Sequence, residues 1–322
     1  VSQPPVRPSS APVDGDRPAR RVLMLTHTGR DEARSVAHEV AGALAGHGIV
    51  VRMIAREADD LGVAGDVETT QTEAGASDDC ELTLVIGGDG TILRAAEIAR
   101  EAGTPVLGVN LGHVGFLAEA EHDDVASVID AVVARRYSVE DRMSIDVQVL
   151  RDGEVVTSTF ALNEASVEKA ARERMIEVVV EVDGRPLSRW GCDGVVCATP
   201  TGSTAYNFSA GGPVVWPGVE ALLMVPISAH ALFARPLVVA PTSVLAVEVL
   251  ARTDSAGVLW CDGRRAVDLP PGARIEVRRG ERPVRLARLH QAPFTDRLVA
   301  KFGLPVEGWR GSAERRRRGQ DA

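Results

Sequence analysis

The sequence predicts a molecule in two parts: an α/β, doubly wound N-terminal domain followed by an all-β, antiparallel sandwich as C-terminal domain. Three observations carry that prediction. Apolar strand candidates alternate with helix-spaced segments from Arg21 onward, a Gly-Gly-Asp-Gly-Thr loop at 87–91 joins one such strand to a helix pattern, and beyond Glu140 the hydrophobic period falls from about 3.6 to about 2. With 322 residues, 45% of them hydrophobic, the chain has enough apolar surface for one or two cores.

Residues 1–20 hold Pro4, Pro5, Pro8, Pro12 and Pro18 among Ser, Asp and Arg, a composition too poor in apolar surface to order itself, and are expected to form a flexible tail. The α/β domain is expected to span 21–141. Arg21 to His27 is its first buried strand; Val36, Val40 and Leu44 follow at four-residue spacing on a helix that Gly46 and Gly48 end, and Ile49 to Ile54 resumes a strand. The polar segment 59–79 is expected as a long loop or weak helix over one edge. Leu82 to Ile86 is β-prone and apolar, Ile92, Leu93, Ala96 and Ala99 fall near helical spacing, and Pro105 to Asn110 supplies the next strand. A helix pattern through Val125, Val128, Ile129 and Val132 closes the domain. Such a mainly parallel sheet binds ligands beyond the carboxyl ends of its strands.

The sandwich is expected over 142–290. Met143, Ile145, Val147 and Val149 alternate with polar residues, and Asp152-Gly153, Asp183-Gly184 and Asp262-Gly263 mark hairpins between further strands. Phe294, Leu298 and Phe302, at four-residue spacing, predict a C-terminal helix within 291–310 that returns to the first domain. The last segment, 311–322, carries four consecutive arginines and is expected as a basic, disordered tail.

The formal net charge of −9 disfavours a general polyanion partner, so no nucleic acid is expected, while small phosphorylated ligands need only local positive charge. Cys80, Cys192, Cys197 and Cys261 form no CxxC pair and have no His at zinc-finger spacing, which points to reduced thiols in a cytoplasmic protein. The N-terminus has no apolar h-region, and the most apolar long stretch, 221–240, is interrupted by Pro226, His230, Arg235 and Pro236. Neither a signal peptide nor a membrane span is expected.

Three clusters carry candidate chemistry. Gly87, Gly88 and Gly90 let backbone N–H groups approach an anion, and the helix that follows directs its positive end at the same spot. Asp89 is the odd member of this phosphate loop. A carboxylate repels phosphate, so it implies Mg²⁺, a hydroxyl to deprotonate, or both, against the plainer alternative of a solvated turn residue. Asn163 and Glu164 end an apolar strand and together complement a ribose diol, although a strand end also favours such residues. The stretch from Cys192-Asp193-Gly194 through residues 199–209 to Gly212 gathers hydroxyls and glycines around Tyr206, which suits a pocket for a polar ligand with one ring face. Residues 110–117 add two glycines and Phe116, either a rest for a flat ring or ordinary core. The P-loop, the dinucleotide fingerprint, the protein-kinase signatures and the GxSxG elbow are all absent, and His230 stands alone as a candidate base.

In combination, Gly87-Gly88-Asp89-Gly90-Thr91 after a strand, Asn163-Glu164, and Gly191-Cys192-Asp193-Gly194 leading to residues 199–206 resemble the NAD kinase family, particularly its actinobacterial-type members. Residues 110–117 and the Asp262-Gly263-Arg264 turn share the resemblance, which runs from about residue 21 to about residue 310. It implies phosphorylation of the 2′-hydroxyl of the adenosine ribose of NAD, giving NADP, with ATP or inorganic polyphosphate as donor and Mg²⁺ arriving on the substrate phosphates. It implies further that the α/β domain takes the donor, that the sandwich takes NAD, and that the chain forms a homo-oligomer, dimer or tetramer. By position, Asp89 would accept the hydroxyl proton, with Gly87, Gly88, Gly90 and Thr91 around it and Arg94 near phosphate. Asn163 and Glu164 would hold ribose hydroxyls and Arg174 would add positive charge. Asp193, Thr204, Ala205, Tyr206 and Ser209 would line the NAD pocket, with Phe116 flanking the adenine. Some members carry an Arg two residues before the counterpart of Asp193; this chain has Gly191, so that contact does not carry over. The rival class is another GGDGT-type small-molecule or lipid kinase.

Overall fold

The computed structural model describes residues 19–27, 29, 31–110, 115–118, 120–121, 125–252, 256–289 and 293–306. The expected tails up to 18 and beyond 306, and residues 111–114 after Asn110, lie outside the described residues.

The first part runs β1 (Arg21–Thr26), α1 (Asp31–Gly46), β2 (Val50–Ile54), α2 (Ala55–Leu61), β3 (Glu68–Thr70), β4 (Leu82–Ile86), α3 (Asp89–Ala99), β5 (Val106–Asn110), β6 (Ala120–Glu121), α4 (Val125–Val133) and β7 (Ser138–Arg142). The second continues with β8 (Ile145–Arg151), β9 (Glu154–Ala161), β10 (Glu164–Lys169), β11 (Ile176–Val182), β12 (Arg185–Cys192) and β13 (Gly194–Ala198). After a 3₁₀ turn at Thr201–Thr204 come α5 (Tyr206–Ser209), β14 (Leu222–Ile227), β15 (Leu237–Val239), β16 (Leu245–Val249), β17 (Gly257–Cys261), β18 (Arg265–Leu269) and β19 (Arg274–Arg279). The chain ends with β20 (Val284–Arg288) and α6 (Phe294–Phe302).

The first sheet has the order β3-β2-β1-β4-β5-β20-β7, with β6 also on β5, and every pairing is parallel except β20 with β7. Its centre is apolar along its whole length because helices cover both faces. On one face Val22, Met24, Leu84 and Ile86 pack with Val36, Val40 and Leu44 of α1 and with Val128 and Val132 of α4. On the other, Leu23, Leu25 and Val85 pack against Ile92, Ala95 and Ala99 of α3. The second part is two antiparallel six-stranded sheets, β15-β14-β13-β10-β17-β18 and β12-β11-β16-β19-β8-β9, closed over a core that includes Val147, Val178, Trp190, Val247 and Leu259.

Three details differ from the sequence expectation. The segment 59–79, expected as a loop or weak helix over one edge, takes in the end of α2 and the edge strand β3, which pairs parallel with β2; its Glu68 takes Arg21 and Arg52. Arg20, counted with the tail, is ion-paired to Glu81 at 2.5 Å and bonds the carbonyls of Val132 and Val133. The return to the first domain begins with β20, one element before the C-terminal helix, because Leu286 and Ala287 complete the apolar faces of the first sheet. Among the described residues no helix is long and apolar enough to cross a membrane, and all four cysteines are free.

Candidate active site

The strand order reverses between β1 and β4, and there the carboxyl ends of the two strands open into a cavity of about 850 Å³. From the α/β domain it is lined by Thr26, His27, Gly88, Gly90, Thr91 and Arg94, and from the sandwich by Asp262, Gly263 and Arg264. The chain leaves β4 at Gly87, whose N–H bonds the Val109 carbonyl at 2.9 Å, and enters α3 at Asp89 with Gly88 as a cap that offers no side chain. A Cβ at Gly88 or Gly90 would meet open space. The first-turn N–H groups and the positive end of α3 therefore face the cavity unshielded, which suits an anion.

Asp89 turns back under residues 115–118. Its Oδ2 accepts the Phe116 N–H and its Oδ1 the Leu117 N–H, each at 3.2 Å. Only glycine permits this approach at position 115, where a Cβ would collide with the Asp89 carboxylate. Arg94 lines the same cavity, with its guanidinium bound by Glu57 and, at 2.6 Å, by Glu73. Glu57 also accepts the Thr26 N–H at 3.0 Å and so ties α2 to the end of β1.

On the sandwich side Asn163 and Glu164 are both buried at the start of β10. Their backbone is set by Asp262, in the turn between β17 and β18, whose carboxylate accepts the N–H groups of Leu162 at 3.0 Å, Asn163 at 2.7 Å and Glu164 at 3.4 Å. Burial pushes the Asp262 carboxyl above its ordinary range, while those N–H groups and Arg265 at 3.0 Å oppose the shift. Gly263, next in the turn, lines both the first cavity and a second of about 480 Å³ formed by Glu164, Ser166, Glu168, Tyr206 and Trp260. Among the described residues Oε2 of Glu164 has no hydrogen-bond partner. Burial first, and then the Asp262 charge, raise the Glu164 pKa to about 8 against the pull of the Tyr206 N–H.

The hydroxyl-rich stretch divides in two. Thr199, Ser203 and Asn207 are fully buried and their side chains bond the chain itself: Thr199 to the Leu162 carbonyl, Ser203 to Val215, and Asn207 to the carbonyls of Ser203 and Pro213. Gly202 packs directly on the Asn163 backbone, where a Cβ has no room. Thr204, Ala205, Tyr206 and Ser209 form the accessible side of the same turn. Asp193 pairs with Lys169 at 2.6 Å, and that ammonium holds its carboxyl below the usual range. Arg174 is exposed between β10 and β11 and lines neither cavity. Phe116 belongs to an aromatic cluster, 6.0 Å from Phe294 and 5.9 Å from Phe302.

Glu57, His27 and Asp262 are the site residues that sequence reasoning missed. His27 carried a usable signal, since it ends the strand beside the switch point; Asp262 was legible only as part of a hairpin turn that shares the family resemblance, with no role attached to it. Among the described residues no three His, Cys, Asp or Glu side chains are grouped to hold a metal ion.

Two family models match the chain: the ATP-NAD kinase N-terminal domain over residues 22–137 and the ATP-NAD kinase C-terminal domain over 162–289. NAD kinase 2 of Streptomyces coelicolor is 63% identical over 294 residues, covering 91% of this chain and 97% of its own. The NAD kinase of Thermobifida fusca is 61% identical over 312 residues, 94% of this chain and 95% of its own. Among solved structures, yeast NADH kinase complexed with NADH has a TM-score of 0.81 at 24% identity, covering 91% of this chain and 90% of that one. An NAD kinase from Archaeoglobus fulgidus in complex with ATP has a TM-score of 0.67 at 25% identity, covering 88% and 100%.

Proposed function

The chain belongs to the NAD kinase family, and on that premise we propose how its residues share the transfer of a phosphoryl group to the 2′-hydroxyl of the adenosine ribose of NAD. The enzyme is a phosphotransferase with an alcohol as acceptor. The observation that carries the assignment is the turn at Asp262 and Gly263, which lines the glycine-loop cavity and fixes the Asn163 and Glu164 backbone, so the two halves of the site meet there.

In this reading ATP lies with its phosphates against the N-terminus of α3, where Gly88 and Gly90 leave room and N–H groups face the anion. The solved Archaeoglobus fulgidus NAD kinase in complex with ATP supports that donor. A carboxylate cannot strip a ribose hydroxyl of its proton ahead of the transfer, because the hydroxyl is far the weaker acid. In a loose transition state the proton leaves late. Asp89 orients the hydroxyl in line with the γ-phosphate and takes the proton as the bond forms, while Asn163 and the open Oε2 of Glu164 grip the ribose. Thr204, Ala205, Tyr206 and Ser209 face the nucleoside, with Asp193 farther along. Arg94 remains assigned near phosphate, its charge moderated by Glu57 and Glu73. The exposed Arg174 would reach the ligand only as a source of positive charge from outside the lining.

Mg²⁺ fits this site as a passenger on the donor phosphates. It keeps several waters and uses one or two carboxylates rather than a dedicated cage, and Asp89 is the carboxylate of the loop itself. When bound it neutralises charge on the transferred group. A homo-oligomer also belongs to this reading, supported by the exposed Leu232 and Phe233 before β15 and the exposed Val238 on that edge strand.

Purified protein with NAD and Mg²⁺, supplied with ATP or with polyphosphate and read by an NADP-specific dehydrogenase, tests the reading. NADP formation with ATP is expected, and the polyphosphate arm reports the second donor. ATP consumption independent of NAD would contradict it.

A further inference from the structure

We propose that Arg297 of α6 is a positioning residue for Asp89, acting through the peptide groups of residues 116–118. The inference rests on the assignment of Asp89 to the acceptor hydroxyl.

Residues 115–118 form no strand or helix, so no ladder of hydrogen bonds orients their peptide groups. Side chains do so instead, and from two sides. The N–H groups of Phe116 and Leu117 point at the Asp89 carboxylate. On the other side, Nη1 of Arg297 donates to the carbonyls of Phe116 at 3.1 Å and Ala118 at 2.8 Å, and Nη1 of Arg288 donates to the carbonyl of Leu117 at 3.2 Å. Three consecutive carbonyls are thus held by two guanidinium groups. The peptide joining Phe116 to Leu117 is engaged at both ends, its oxygen by Arg297 and its N–H by Oδ1 of Asp89. A peptide polarised at oxygen by a cation is a stronger donor at nitrogen, and charge-assisted bonds are the more directional kind.

The helix that presents Arg297 has no fully buried residue of its own. Its anchors are aromatic: Phe294 against Phe116 and, at 5.3 Å, Trp216, and Phe302 against Phe116 and, at 4.7 Å, Phe208. One short helix therefore touches the loop over Asp89 and α5 beside Ser209. Its link to the reaction runs through Arg297 and the peptide, not through any contact with the reacting atoms.

The test uses the full chain as wild type, Arg297→Ala, Arg297→Lys and Asp89→Asn, assayed with ATP, Mg²⁺ and NAD. Arg297→Ala is expected to lower kcat by roughly 10²-fold, the scale of a small misplacement of a reacting group, with the KM for NAD changed far less. Millimolar guanidinium is expected to restore part of that kcat and to leave Asp89→Asn unaffected. Arg297→Lys, whose ammonium reaches one carbonyl instead of two, is expected to fall between, and it decides the matter should the alanine variant not fold. Wild-type kcat in either variant, a loss confined to KM, or a lowered kcat that guanidinium does not raise would overturn the proposal. Near-normal turnover by Asp89→Asn would instead remove the assignment on which it rests.

Discussion

Asp89 and Glu164, the two carboxylates of the proposed site, have opposite surroundings. Both oxygens of Asp89 receive backbone N–H groups, which fix its direction. Glu164 is buried with one oxygen unpartnered among the described residues, an acceptor held ready for a hydroxyl at the cost of desolvation. That cost has a pH signature. Glu164 keeps its proton to about 8 in the folded chain but would release it near 4.5 when unfolded, so between those values the folded state binds more protons. Stability from this group is therefore intact below the window and falls as pH rises through it. Glu164→Gln cannot titrate. In urea unfolding it is expected to match the wild type near pH 5 and to exceed it near pH 8 by on the order of a few kcal/mol, with a raised KM for NAD. Parallel pH profiles for the two proteins would contradict the assignment.

At the scale of elements, the turn between β17 and β18 does more than reverse the chain. Asp262 takes three N–H groups of the segment entering β10, and Arg264 and Arg265 reach Glu97 of α3 at 3.4 and 3.8 Å. The helix that begins with Asp89 and the strand that begins with Glu164 are thereby joined by one turn. Asp262→Ala leaves buried N–H groups without an acceptor and is expected to cost about 2–4 kcal/mol in denaturant unfolding and to raise the KM for NAD. A variant with unchanged stability and unchanged KM would show that the turn does not set the acceptor strand. The turn shares the family resemblance, but its role as a strut was illegible in the sequence, because that role depends on a strand about a hundred residues earlier. The glycine loop was legible, since strand, loop and helix are consecutive and the chemistry lies in the spacing. Residues 199–209 were legible only in part. Their hydroxyls suggested a pocket, yet Thr199, Ser203 and Asn207 bond their own turn, and burial, which composition does not reveal, separates them from Thr204, Tyr206 and Ser209.

For the molecule as a whole, the change of period near residue 140 marks the passage from parallel sheet to sandwich, and the strands of both parts follow their apolar patterns. The return of β20 to the first sheet is not legible in the sequence because a short alternating strand looks the same in either sheet; partner choice is a long-range property. That return matters for the site, since β20 and α6 bring Arg288 and Arg297 to the loop over Asp89. The proposed division of labour has the first domain offer phosphate and Asp89 while the second delivers the ribose hydroxyl across the cleft. It is tested most directly by measuring, for wild type and Asp89→Asn, both turnover with ATP and NAD and the equilibrium affinity for NAD. A fall in kcat of roughly 10²- to 10⁴-fold with NAD affinity nearly unchanged is expected for Asp89→Asn. A variant that turns over normally, or that loses NAD binding in step with activity, would contradict it.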